Sequence, residues 1–367
     1  MKTKTLSDVN RIVVKVGTTS LTDNGVISEN KIKLLADDIT SVIEKGYEVV
    51  LVSSGAVGAG AGDLNMKKEL LTIPQKQALA AVGQTILMNE YRKHFAKKGI
   101  KVGQILLTED DVKNRKRFLN ARNTFNALLQ MKVLPIVNEN DSVVVSEIKI
   151  GDNDTLSAHV VSVTDSQLLI LLSDIDGFYW DLSDPKPVES INRITNEVIE
   201  RAGGSGSIYG SGGMLTKIRA ADMILKFGEK MIIAKGGERN IIGRILAGES
   251  VGTLFAGDNK KIPSRKKWLA MSKAKGIIII DDGACVALTK GKKSLLPSGI
   301  VKTEGSFDTA APIDICDMKG NIIAKGLSNY SQPELELIKG KSTKEIEKMM
   351  GYKYMDEAVH RDNIIVF

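Results

Sequence analysis

The chain has 367 residues, 43% hydrophobic, 26% charged and 5% aromatic, which excludes a disordered, collagenous or coiled-coil chain and predicts about two domains. No apolar run exceeds about five residues, against the roughly 20 that span a bilayer; residues 1–9 lack the apolar centre of a secretory signal; and two distant cysteines (Cys285, Cys316) with three scattered histidines (His94, His159, His360) leave a zinc or haem site short of ligands, so a reducing cytoplasm is the expected location, with no membrane partner. The net charge of +7 is carried entirely by residues 259–275, which hold seven basic and no acidic side chains, so the balance argues against a chain-wide nucleic-acid surface and leaves either a solvated linker or a local patch that meets a phosphate or an acidic partner.

From the N-terminus, short apolar runs alternate with stretches of helical period. Strands are expected at 12–16, 48–54, 102–107, 133–138, 168–173 and 231–236, and helices near 29–45, 75–98, 118–130 and 154–163, with a further helix before the last strand. Regular alternation of strand and helix predicts a mainly parallel central sheet covered on both faces, and the uniformly apolar strands agree with burial on two sides. In such a sheet, ligands gather where strands end at their carboxyl edge.

The first of these edges is VVKVGTTSLT, in which Lys15 interrupts a run of valines; a buried ammonium needs an anion, although a lysine on a partly exposed sheet face is the alternative. The second, VSSGAVGAGAG, spaces its glycines as Gly55, Gly58, Gly60 and Gly62, which is not a dinucleotide fingerprint; the stretch reads as a glycine-rich turn that could cradle an anion or serve only tight packing. NENDS and IGDNDTLSA place Glu139, Asp141, Asp152 and Asp154 with Asn138, Asn140 and Asn153 at loop positions, where turn and helix-cap roles compete with chemistry. SDIDG closes a strand and reads as a turn. GSGGMLTKIRAA puts Lys217 near the start of a helix, against the macrodipole, and a bound anion would reverse that sign.

Residues 259–275 include Pro263 and mark the expected boundary, a basic linker between a domain over 1–258 and a second over 276–353, with a tail from 354 to 367. The second domain is expected to be a small barrel-like β module, with GIIIIDDGACVAL among its β-rich pieces, ending in a helix near 342–350. His360-Arg361-Asp362 and Gly340-Lys341-Ser342 imitate kinase and P-loop strings, but the residues those motifs need around them are missing.

Taken together, VVKVGTTSLT, VSSGAVGAG, LPIVNENDSV, GDNDTLSA, LLSDIDGFY, GSGGMLTK and SVGTLF, in this order over residues 11–257, resemble the amino-acid kinase family, and the remainder resembles the PUA module. The resemblance implies an α/β amino-acid kinase fold followed by a small β-barrel-like PUA domain, and ATP-dependent phosphorylation of the γ-carboxylate of L-glutamate in proline biosynthesis, with Mg²⁺ held mainly through the ATP phosphates. It implies catalytic roles for Lys15 and Lys217 on the transferring phosphoryl group, near the Gly17 and Gly55 amides, with Asp154 orienting both lysines. Ser54, Asp141 and Asn153 would bind glutamate; Lys15, Ser173, Asp174, Ser211, Gly212, Gly213, Met214, Leu215, Thr216 and Lys217 would line the ATP site. No protein-bound metal is implied. A homo-oligomer, feedback inhibition by proline acting at a loop over 108–122, and coupling to the reductase that consumes glutamyl phosphate are further implications of the resemblance. Kinases of the same fold acting on acetylglutamate or aspartate are the near alternative, and RNA binding through the C-terminal module the distant one, disfavoured by that module's balance of +1.

Overall fold

The structure, a computed structural model, describes residues 6–23, 26–66, 71–143, 153–203, 213–257, 263–350 and 355–367. The chain divides into two compact units, Met1–Lys261 and Ile262–Phe367.

In the first unit an eight-stranded sheet has the order β5-β6-β4-β1-β7-β9-β10-β8, comprising β1 (Arg11–Val16), β4 (Glu48–Ser53), β5 (Lys101–Leu107), β6 (Val133–Glu139), β7 (Leu168–Ser173), β8 (Ser190–Ile191), β9 (Lys230–Lys235) and β10 (Thr253–Ala256). Pairing is parallel except between β9 and β10. β2 (Thr22–Asp23) and β3 (Val26–Ile27) form a separate two-stranded sheet. β1 lies at the centre, with Lys15 in register with Val52 on one side and Leu171 on the other, so this lysine is buried on a strand paired along both edges. One face of the sheet is covered by α1 (Glu29–Glu44) and α3 (Ile73–Ala96), whose Ile32, Leu35, Leu87, Tyr91 and Phe95 share a core with Val14, Leu51 and Ile170. α3 starts where Thr72 and Gln75 form a reciprocal capping box with Pro74 in the first turn, which explains a well-defined start for a helix of weak amphipathic patterning. Among the described residues no helix is long and apolar enough to cross a membrane.

The structure corrects the sequence reading at several places. The glycine-rich stretch after β4 is not a turn but a helix, α2 (Ala56–Asp63), and only Gly55 just before it takes a left-handed conformation, at φ 100°. The reason is the neighbouring helix: a Cβ on Gly60 would lie 2.0 Å from the Leu79 carbonyl oxygen, and one on Gly83 would lie 1.8 Å from that of Ala56, so α2 and α3 touch backbone to backbone. Residues 108–122, expected to be a loop, form α4 (Glu109–Lys113) and the first half of α5 (Arg115–Gln130), started by side-chain caps from Thr108 and Asn114. Within the basic stretch expected as linker, α10 (Ser264–Met271) buries Trp268, Leu269 and the whole of Lys267, while Lys266 Nζ donates to the carbonyls of Arg361 and Ile364 at 3.0 and 2.8 Å. The remaining helices of the first unit are α6 (Asn153–Thr164), α7 (Asn196–Gly203), α8 (Gly213–Lys226) and α9 (Ile241–Leu246).

The second unit carries a five-stranded sheet in the order β12-β11-β13-β14-β15, from β11 (Gly276–Ile280), β12 (Ile300–Gly305), β13 (Pro312–Cys316), β14 (Ile322–Leu327) and β15 (Ile364–Val366). GIIIIDDGACVAL is only half strand: Asp281 accepts the Ala284 N–H at 2.7 Å and starts α11 (Asp282–Thr289). α12 (Gln332–Ile338) and α13 (Thr343–Met350) follow, the latter as expected.

α6 is buried along nearly its whole length, including His159, whose imidazole is pushed down to about 4 by desolvation and, secondarily, by Lys113. The unfolded chain, with an ordinary histidine, takes up this proton first as pH falls. The contribution of His159 is therefore complete above about pH 6.5 and lost progressively toward pH 4, amounting to roughly 3 kcal/mol at full loss. Urea midpoints at pH 7 and pH 5 should differ more in the native protein than in His159→Phe; equal differences would contradict this.

Candidate active site

The carboxyl edges of β1, β4, β6 and β7 and the N-termini of α2, α6 and α8 carry most of the residues expected at a site. Two lysines far apart in sequence meet on one carboxylate. Lys15 Nζ, from β1, is 2.5 Å from Asp154 Oδ1, and Lys217 Nζ, from α8, is 3.1 Å from Asp154 Oδ2. Exposure is 5% for Lys15, 8% for Lys217 and nil for Asp154, which makes the mutual compensation necessary: each ammonium alone would be severely penalised at this depth. Thr216 Oγ1 also donates to Asp154 Oδ2, at 3.1 Å, and Lys217 Nζ folds back to the Gly213 carbonyl at 3.1 Å. Two ammoniums share one carboxylate, so these three groups carry an excess of one positive charge as ionised species. An anion with several oxygens, such as a phosphoryl group, can reach both cations at once.

Beside this triad a cleft of about 340 Å³ is lined by Ser54, Gly55, Asn138, Glu139, Asp141 and Asn153, among others. Asn153, at the start of α6, stitches its floor: Nδ2 donates to the Ser53 carbonyl (2.7 Å), to Ser54 Oγ (2.9 Å) and to Asn138 Oδ1 (3.0 Å). Asn138 Oδ1 also accepts the Glu139 N–H at 2.9 Å. The amides thereby keep one donor, Asn138 Nδ2, and one acceptor, Asn153 Oδ1, buried and unpartnered among the described residues. Burial pushes the Asp141 carboxyl up from its ordinary range. A cation entering the cleft would remove that penalty. Beneath the floor, Ser53 Oγ and Tyr91 OH hydrogen bond at 2.8 Å and tie β4 to α3.

Ser173 ends β7; its hydroxyl donates to Asp174 Oδ1 at 2.8 Å, and its carbonyl accepts the Gly236 N–H at 2.7 Å. Gly17 follows β1, its N–H on the Leu172 carbonyl at 3.2 Å. On α8, Gly213 is the first residue, Met214 is buried and Leu215 lies against Gly203 of α7, so of this stretch Thr216 and Lys217 are the side chains on Asp154. Ser211, Gly212 and Asp152 lie outside the described residues. The fold thus brings together Lys15, Lys217, Asp154 and Thr216, and beside them Ser54, Asp141 and Asn153. Asn138, singled out with Glu139 only as a member of an acidic and amide cluster, is a binding-cleft residue that sequence reasoning left without a role; its place at a strand's carboxyl edge was the available signal. The Ser53–Tyr91 pair had none, because it joins residues 38 positions apart through packing alone.

The profile of the amino acid kinase family matches residues 10–235, and that of the PUA domain matches residues 276–350. The chain is similar to a glutamate 5-kinase of Caldanaerobacter subterraneus subsp. tengcongensis, with 48% identity over 97% of each chain, and to a glutamate 5-kinase of Syntrophotalea carbinolica, with 46% identity over the whole of both. A solved carbamate kinase of Giardia aligns with 69% of this chain and all of its own at 17% identity and a TM-score of 0.49.

Proposed function

The chain belongs to the amino acid kinase family, and from that premise we infer that it transfers the γ-phosphoryl group of ATP to the γ-carboxylate of L-glutamate, the opening step of proline biosynthesis. The observation that carries this reading is the convergence of Lys15 and Lys217 on Asp154 beside a cleft lined by the half-buried Asp141, whose carboxyl is pushed up by desolvation.

Phosphoryl transfer asks a protein for positioning and charge neutralisation rather than covalent chemistry. Lys15 and Lys217 neutralise the transferring group, and Asp154 fixes where their charges sit. Both Asp154 oxygens are already engaged by lysines, which makes it a poor candidate metal ligand, so the residues fit a Mg²⁺ that would be carried by the nucleotide's own phosphate oxygens and would supply further neutralisation there. The attacking carboxylate has an ordinary pKa of about 4.3, is ionised at neutral pH and needs no general base, which accounts for a triad and cleft without histidine. Asp141 and Asn153 Oδ1 accept from the α-ammonium of glutamate, Asn138 Nδ2 and Ser54 donate to its carboxylate, and the Ser173–Asp174 edge with the start of α8 receives the nucleotide. The product is an acyl phosphate, prone to hydrolysis, which suits immediate use by a reductase.

The reading is tested with ATP, Mg²⁺, hydroxylamine and glutamate, following the hydroxamate, against N-acetylglutamate and aspartate. Hydroxamate is expected with glutamate above both controls, and Asp141→Asn should raise the glutamate KM roughly 10- to 100-fold, the worth of one charge-assisted contact, with the ATP KM little changed. Preference for N-acetylglutamate, which has no ammonium, would overturn the substrate assignment; equal changes in both KM values would remove the ammonium contact.

A further inference from the structure

A second cluster of chemistry-bearing residues lies outside the cleft. Glu90 and His94, one helical turn apart on α3, project to the same side of that helix. Glu29, the first residue of α1, reaches them from across the helix pair. His94 is 3% exposed, and among the described residues its Nε2 has no hydrogen-bond partner. That nitrogen faces Glu29 Oε1 at 3.6 Å and Glu90 Oε2 at 3.7 Å, too long for a hydrogen bond to either. In a tetrahedral shell with bonds of about 2.0–2.1 Å, neighbouring ligand atoms lie about 3.3 Å apart, close to both separations.

We propose that His94, Glu29 and Glu90 form a binding site for one divalent transition-metal ion that ties the start of α1 to the C-terminal half of α3. One imidazole nitrogen with two carboxylate oxygens is a donor set for zinc, manganese, cobalt or nickel rather than for calcium or magnesium. Two carboxylates and a neutral imidazole carry charge −2, which a divalent ion matches. The attraction of the spot for a cation is visible in Lys93, whose Nζ is 2.9 Å from Glu29 Oε1 and 3.9 Å from Glu90 Oε2. Its side chain is 44% exposed and free to swing outward, so an ion entering the site displaces a mobile ammonium and not a packed one. Single-sequence reading excluded a zinc site because the histidines are scattered; the fold supplies the missing carboxylate from 61 positions before Glu90.

The test uses full-length protein stripped with a chelator and dialysed into nucleotide-free buffer, titrated with Zn²⁺ by calorimetry and followed by the imidazole NMR signals of its three histidines. A single equivalent should bind, shifting the signals of His94 and not those of His159 or His360. Glu29→Gln should weaken binding by roughly 10- to 100-fold, and Lys93→Met, which removes the competing ammonium, should tighten it. His94 is buried, so its substitution can perturb folding; the Glu29 and Lys93 side chains are largely exposed, and their variants decide the matter. Zn²⁺ that leaves the His94 signals in place, or an affinity indifferent to Glu29→Gln and Lys93→Met, would overturn the proposal.

Discussion

Asp154→Asn is expected to lower turnover by at least about 100-fold, the loss that follows removal of one preorganised electrostatic contact from a reacting centre. The substitution keeps shape and removes charge. Each carboxylate oxygen now receives one buried ammonium, Lys15 on Oδ1 and Lys217 on Oδ2. An amide offers an acceptor to one and a donor to the other, so one lysine loses its partner and the two cations repel across a poorly solvated gap. Breaking a buried pair by removing one member typically destabilises by about 3–5 kcal/mol. Thermal unfolding should therefore fall with activity, and a nucleotide should restore more stability to the variant than to the native protein, because its phosphates replace the missing negative charge. Reduced turnover with nucleotide affinity retained identifies Asp154 as a positioning residue. Native turnover in Asp154→Asn would remove the carboxylate from the mechanism.

Gly83→Ala is expected to destabilise the kinase unit, with the sign opposite to helix propensity. In an exposed helix interior the change would stabilise by about 0.5–1 kcal/mol. Here the added Cβ would meet backbone atoms only, 1.8 Å from the Ala56 oxygen, 2.6 Å from the Gly60 nitrogen and 2.8 Å from the Ala56 carbonyl carbon. Backbone cannot rotate aside as a side chain can, so α2 and α3 must separate and give up contact along their crossing. Overpacking of a tight core typically costs 1–3 kcal/mol, and about 3 kcal/mol or more is expected at this approach, or a melting temperature lower by on the order of 6 °C in a unit of this size. Activity should fall as well, because α2 begins directly after the left-handed Gly55 at the cleft. A melting temperature at or above the native value would show that the helices yield without penalty.

Much of the sheet was legible because its strands carry an unmistakable requirement: burial on both faces leaves runs of Val, Ile and Leu, and β1, β4, β6, β7 and β9 all have them. β8 and β10, two and four residues long, are too short to show a period. α2 was illegible for a different reason. Glycine is a poor helix former, yet at Gly60 a demand from α3, 19 positions away at Leu79, outweighs the local preference. α10 was read as a linker from its charge, although Trp268 and Leu269 were there to be buried and Lys266 and Lys267 are absorbed by carbonyls and packing. α12 had a readable start in Ser331-Gln-Pro-Glu334, a capping box, that the β-rich texture around it masked. At the site, Lys15 and Lys217 each stood out as a cation in the wrong surroundings, and such local contradictions are what a sequence can reveal. The amide pair Asn138–Asn153 contradicts nothing locally, and its meaning appears only when the ends of β6 and α6 are adjacent.

Positions 15, 154 and 217 come from a central strand and two helices, and their ammonium and carboxylate groups come within bonding distance only once all three elements are docked. No contiguous fragment shorter than this span can assemble the cluster, and a molecule with either helix still undocked holds at most one of its two charge pairs. Activity in this protein is therefore a faithful gauge of completed assembly: partially organised species on the way to the native state contribute none of it, and recovery after denaturation should lag behind the first return of helical signal and coincide with the closing of the interior.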